Sequence, residues 1–143
     1  MVSALFILVV LAVIGAALAN VSSRMQIGSA IDLDNARAQQ AARAGLEWAA
    51  WQVLRNPAPP AAAPSCFGTT SITPGGTLSG FVVTVSCSRT PGSGTVSDGS
   101  TALVFYQVSA NACNIASSGA CPNVAAAPPP AYVERQLSAT FTR

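Results

Sequence analysis

The sequence predicts an α+β fold in which a long N-terminal helix packs on a three- to four-stranded antiparallel sheet. Three observations lead there. Residues 1–55 contain no proline, and 20–55 are rich in Ala, Gln, Arg, Leu and Glu, a helix-forming composition. Three later segments alternate apolar and polar residues with the period of a half-buried strand. Between the two regions lies the Pro/Ala tract 57–64, where proline removes an amide donor and its ring clashes with the preceding turn. The chain therefore divides into an apolar half-helix at 1–23, an amphipathic half-helix at 24–55, a linker at 56–65 and a disulfide-bonded antiparallel sheet domain at 66–143.

Residues 1–23 carry no charged side chain. At ~1.5 Å per residue that run spans roughly 35 Å, enough for a hydrocarbon core of about 30 Å, so a transmembrane helix is expected here. Ala17-Leu18-Ala19 also resembles a signal-peptide cleavage site, although no Lys or Arg precedes the apolar run. A permanent single-pass anchor is a further alternative. Both leave a membrane-anchored or secreted disulfide domain with a binding role, and neither explains why helical sequence continues far beyond the apolar run. The reading that does has a short basic leader either already removed or lying upstream of the numbered chain.

In the second half of the helix, Ala42, Leu46, Ala49 and Val53 recur at helical spacing, with Trp48 and Trp51 beside them and Arg43, Glu47 and Gln52 off the stripe. One helix from Met1 to about Arg55 is roughly 80 Å long, and its first half is expected to project. The stripe needs a sheet to cover. Phe81, Val83, Val85 and Cys87 form one apolar face, Ala102, Val104, Tyr106, Val108 and Ala110 a second, and Val133, Leu137, Ala139 and Phe141 a third, interrupted by Arg135. Turn-rich sequence at 90–100 and 125–130 separates them and favours antiparallel order. The expected helix–sheet core is Ala42, Leu46, Trp48, Ala49, Val53, Phe81, Val83, Val85, Val104, Tyr106 and Leu137.

The four cysteines all lie beyond the helix, without a C-x-x-C pair and without any His, which favours two disulfides over a zinc site and implies an oxidising compartment. A fourth strand over 66–72 in a hairpin with 81–89, with Ile72 opposite Phe81, sets Cys66 opposite Cys87 at disulfide spacing. Cys113 and Cys121 then close a short loop.

Composition excludes much else. All seven cations are scattered arginines, so no basic face for nucleic acid is expected. The absence of His removes Ser/His/Asp and Cys/His catalysis, and no enzyme activity, cofactor or metal is predicted. Asp32-Leu33-Asp34-Asn35 begins like a calcium loop, but Arg37 and Arg43 fill the positions needing glycine and an acidic ligand. Trp48 and Trp51 are read as core rather than as sugar-stacking surfaces.

The runs VSALFILVVLAVIGAA, SAIDLDNARAQQAARAGLEWAAWQV, GFVVTVSCSR, VSANACN and YVERQLSAT together resemble the type IV pilin superfamily, and more closely the MSHA pilus biogenesis protein P family. The resemblance implies a structural subunit, major or minor, of a type IV pilus or related surface filament. It implies removal of a leader by a prepilin peptidase, methylation of the new N-terminal amine, residence in the bacterial inner membrane and then incorporation into an extracellular pilus. The implied partners are other pilin subunits and the pilus assembly machinery. The assembly helix is then Ser3, Leu5, Phe6, Val9, Ala12, Gly15, Ala16 and Ala19, whose small members allow close helix approach. Most pilins place a Glu at the fifth mature position; here the nearest acidic residue is Asp32, and Ser3 takes the equivalent place if the mature end lies two residues upstream.

Overall fold

The computed structural model describes the backbone of residues 2–99 and 101–143; it leaves out the side chains of Val2, Leu5, Ser23, Arg24, Gln26, Ile27, Asp98 and Thr101. The expectations that fall on Met1 and the Leu5 side chain lie outside the described residues. The chain is α+β: helix α1 (Val2–Leu54), strand β1 (Thr70–Ile72), a 3-10 turn (Gly76–Leu78), β2 (Val82–Thr90), β3 (Val96–Asp98), β4 (Thr101–Leu103), β5 (Phe105–Cys113) and β6 (Glu134–Thr142). Strands β1-β2-β5-β6 form a four-stranded antiparallel sheet in that order, and β3 pairs with β4 separately. By internal contacts the chain comprises two units, Met1–Asp34 and Asn35–Arg143.

Alanine-rich sequence without proline carries α1 to Leu54, three residues before Pro57. Its terminal carbonyls, which have no partner within the helix, are met from elsewhere. The guanidinium of Arg143 donates to Val53 O at 3.1 Å and to Ala61 O at 2.8 Å, joining the helix end to the linker and placing a cation where the helix dipole favours one. The Tyr106 hydroxyl donates to Pro64 O at 2.7 Å and fixes the other end of the linker.

Within Asn35–Arg143 the helix covers one face of the sheet. Ala38, Ala41, Ala42 and Ala49 are buried with Phe81, Val83, Val85, Val108, Ala110, Ala112 and Val133, while Val53, Val104 and Tyr106 form an adjoining cluster. Leu46, Trp48 and Leu137 are half-buried at the margin, and the Trp48 ring meets Phe67 edge-on at 5.0 Å. The contact is thus made mainly by small residues on the helix and branched ones on the sheet. Gly45 explains the closeness: a Cβ there would stand 2.6 Å from Val83 Cγ1 and 3.1 Å from Ala110 Cβ.

Four expectations need correction. Trp51 is 54% exposed, because its position on α1 turns it off the buried stripe. The β1–β2 register sets Ile72 opposite Val83, not Phe81. Cys66 nevertheless bonds Cys87, since residues 66–69 leave the ladder: Phe67 packs toward Trp48 and the core, and only three residues remain paired as β1. The turn-rich segment 90–100 contributes to a hairpin, β3–β4, with Gly99 in the left-handed region (φ 65°) that its tight turn needs, so Ala102 belongs to this hairpin rather than to the strand holding Tyr106. Finally, among the described residues no helix is long and apolar enough to cross a membrane.

Candidate functional site

In a helix that belongs to an ordinary globular core, one stripe is buried and the opposite face is polar. Over residues 6–22 of α1 neither holds. Every side chain there is exposed, and none is charged. Phe6 is 70% exposed, Leu18 65%, and Ile7, Leu8, Val9, Leu11, Val13 and Ile14 at least half. Ser3, Phe6, Val9, Ala12, Gly15, Ala16 and Ala19 all lie on this exposed helix. Exposed apolar area continues through Met25, Ile31 and Leu33. Soluble monomers rarely present a contiguous apolar surface of this extent, and such surfaces mark interaction sites. No Cβ added at Gly15 or Gly28 would meet another part of the chain within 4 Å, so neither glycine is required by packing inside the subunit.

The sheet has a second, polar face. Because side chains alternate along a strand, the residues between the core positions of β2, β5 and β6 all point there. Thr84, Ser86, Ser109, Asn111, Glu134 and Gln136 line a shallow groove of about 360 Å³ with Thr69, Cys121 and Pro122. The Cys113–Cys121 disulfide, Cα–Cα 5.8 Å, holds the following loop on this side, and Cys121 N–H donates to Thr84 Oγ1 at 2.8 Å. The Cys66–Cys87 disulfide, Cα–Cα 5.6 Å, lies on the helix side, where Cys66 and Cys87 pack against Val53, Val104 and Tyr106. The two bonds therefore fasten opposite faces.

Glu134 organises the groove. It accepts from Asn111 Nδ2 at 2.6 Å and from the Tyr132 hydroxyl at 2.5 Å, while Tyr132 Oη accepts from Asn123 N–H at 2.9 Å. Burial raises the Tyr132 phenol pKa; the Asn123 amide opposes that shift and the Glu134 carboxylate adds to it. These bonds tie the loop after Cys121 to β6. They place one carboxylate among hydroxyls and amides, with no imidazole in the sequence to relay a proton. Gln136 Nε2 donates to Ser109 Oγ at 2.8 Å on the same face.

Asp32 and Asp34 lie inside α1 rather than in a loop, and no group of three or more His, Cys, Asp or Glu that could hold a metal occurs among the described residues. Sequence reasoning missed the polar face, although its signal was the polar half of the alternations used to find the strands. The chain matches no protein-family model, no curated protein and no solved structure.

Proposed function

We propose that this chain is a structural subunit, major or minor, of a type IV pilus or related surface filament, assembling through the first half of α1. The observation that carries the reading is a helix segment, residues 6–19, that is apolar on every side and exposed on every side. A surface of that kind is satisfied only by surroundings that cover it all round, as a bundle of identical helices does. Its small residues, Ala12, Gly15, Ala16 and Ala19, permit close backbone approach. The disulfide-bonded sheet domain supports the reading too, because it suits an oxidising, extracytoplasmic location. On the pilin resemblance, the partners are other pilin subunits, a prepilin peptidase and the assembly machinery; the subunit rests at the bacterial inner membrane before assembly and in an extracellular pilus afterwards.

The test introduces Ala16→Arg. In a helix bundle the new guanidinium is buried without a partner, at a cost of several kcal/mol, and incorporation should fall below detection. Sheared surface filaments from cells expressing either form are assayed for the chain by immunoblot. Absence of the unaltered chain from every filament fraction would overturn the proposal, as would equal incorporation of Ala16→Arg.

A further inference from the structure

Charge alternates in blocks along α1. Arg24 is followed by Asp32 and Asp34, these by Arg37 and Arg43, these by Glu47, and Arg55 stands immediately after the helix. Opposite signs recur at a narrow set of separations. Arg24–Asp32 and Glu47–Arg55 are eight residues apart, Asp34–Arg43 nine, Arg24–Asp34 and Arg37–Glu47 ten, and Asp32–Arg43 eleven. No two like charges in this stretch are separated by seven to eleven residues. Like charges stand twelve or thirteen apart instead: Arg43–Arg55, Arg24–Arg37 and Asp34–Glu47. A second α1 laid parallel to the first and displaced along it by eight to eleven residues, roughly 12 to 16 Å, therefore brings only opposite signs level. A slightly larger displacement brings only like signs level.

Two of these pairs can form at one contact. α1 buries Ala38, Ala41, Ala42, Ala49 and Val53. At about 100° per residue, Arg43 and Glu47 fall on the face opposite that stripe, and both are exposed. Asp34, half-buried, and Arg37, exposed, are neighbours one turn apart on a flank roughly a third of a turn round from Arg43 and Glu47. Both already have an interaction within the chain, and a contact between copies requires neither to be free. Because the two faces differ, one copy offers Asp34 and Arg37 to one neighbour, and Arg43 and Glu47 to another. With a displacement along the axis at each step, such a head-to-tail contact does not close into a ring and repeats as a filament.

We infer that parallel copies of this chain are staggered along α1 by nine to ten residues, about 14 Å, with Asp34 and Arg37 of one copy against Arg43 and Glu47 of the next. The inference rests on the filament reading and adds a register to it. Burial of apolar surface is non-directional, so residues 6–19 attract a neighbouring helix without fixing how far it slides. Charges fix that distance. One exposed ion pair contributes little, but two at every contact, with like signs level only a few residues further on, single out one displacement. The pattern also selects the occupant, because it complements its own displaced copy, which is what a second molecule of this chain presents. A displacement of three to five residues avoids like signs too, but it matches only Asp34–Arg37, Arg43–Glu47 and Asp32–Arg37, and it keeps Arg37 away from Glu47 of the next copy.

Within one helix Arg37 and Glu47 are about 15 Å apart along the axis, too far to touch, so rescue of one by the other must pass between copies. The full chain is expressed in cells, and its incorporation into sheared surface filaments is measured by immunoblot. Arg37→Glu and Glu47→Arg should each lower incorporation about ten-fold, since each sets like charges level at every contact. The double variant should exceed both single variants by at least about three-fold. Arg37→Glu with Gln107→Arg, which has the same net charge as the double variant but places the new cation on the exposed outer face of β5, should stay as low as Arg37→Glu alone. Circular dichroism in detergent micelles checks the fold of each variant. If one of the single variants does not fold, the exchange of Asp34→Arg with Arg43→Asp is read by the same criterion. The stagger is overturned if the single variants incorporate normally, or if the double variant does no better than the better single one, as it would if a different subunit met these faces or the displacement were three to five residues. Absence of the unaltered chain from every filament fraction overturns the filament reading and this inference with it, whereas its presence without rescue overturns the stagger alone.

Discussion

Two glycines in α1 have opposite expected effects when changed to alanine. Each replacement gains about 1 kcal/mol of intrinsic helix propensity. At Gly28 the added methyl meets nothing within 4 Å, so only that gain remains. At Gly45 it meets Val83 Cγ1 at 2.6 Å and Ala110 Cβ at 3.1 Å, and Ala110 has no rotamer to yield. Overpacking of that kind costs roughly 1 to 3 kcal/mol, enough to exceed the propensity gain. Thermal unfolding followed by circular dichroism should therefore show Gly45→Ala melting below the unaltered chain and Gly28→Ala no lower than it. A higher melting temperature for Gly45→Ala would mean that helix and sheet can separate slightly at no cost. The sequence showed Gly45 only as a weak helix position. Its function is a distance to another element, and no local pattern encodes that.

At the scale of elements, the two disulfides should differ in worth. Cys66–Cys87 closes a separation of 21 residues and Cys113–Cys121 one of 8. On the chain-entropy account each stabilises by roughly 2 to 4 kcal/mol, with the longer loop ahead by about 1 kcal/mol. Replacing Cys66 and Cys87 together by serine should consequently lower the urea midpoint more than replacing Cys113 and Cys121. The reverse order would locate the main constraint in the outer-face loop that Tyr132, Asn123 and Glu134 also fasten. The elements themselves were largely legible. Alternation gave the core-facing parity of β2, β5 and β6, and Pro57 gave the end of α1 to within a few residues. Register was less so. Setting Ile72 opposite Phe81 treats residues 66–72 as one straight strand, whereas Phe67 is drawn toward Trp48 and only Thr70–Ile72 stay in the ladder. The β3–β4 hairpin was hidden because Gly- and Ser-rich sequence signals a turn without saying what the turn joins. Half of the candidate site was visible as the charge-free run; the polar groove was not, since its residues come together only when three strands align.

For the whole molecule, the division into Met1–Asp34 and Asn35–Arg143 coincides with a division of labour that can be cut. Both core clusters, both disulfides and the contacts of Arg143 with Val53 and Ala61 lie entirely in Asn35–Arg143. Most large exposed apolar side chains lie in Met1–Asp34; the second unit exposes Trp51, Val96, Phe105 and Val124. A chain beginning at Asn35 retains twenty residues of α1. That length is marginal for a helix alone in water, but here Ala38, Ala41, Ala42, Ala49 and Val53 are buried in the domain, and tertiary packing supplies the stability. The shortened chain, exported to an oxidising compartment, should therefore dissolve without detergent, form both disulfides and unfold in one cooperative transition. It should also be missing from surface filaments, because the segment that is exposed and apolar on every side is gone. Calorimetry and non-reducing peptide mapping check the first expectation, and immunoblots of sheared filaments the second. A shortened chain that unfolds without cooperativity would show that residues before Asn35 contribute to the fold, whereas a folded one that still enters filaments would move assembly from the helix to the sheet domain.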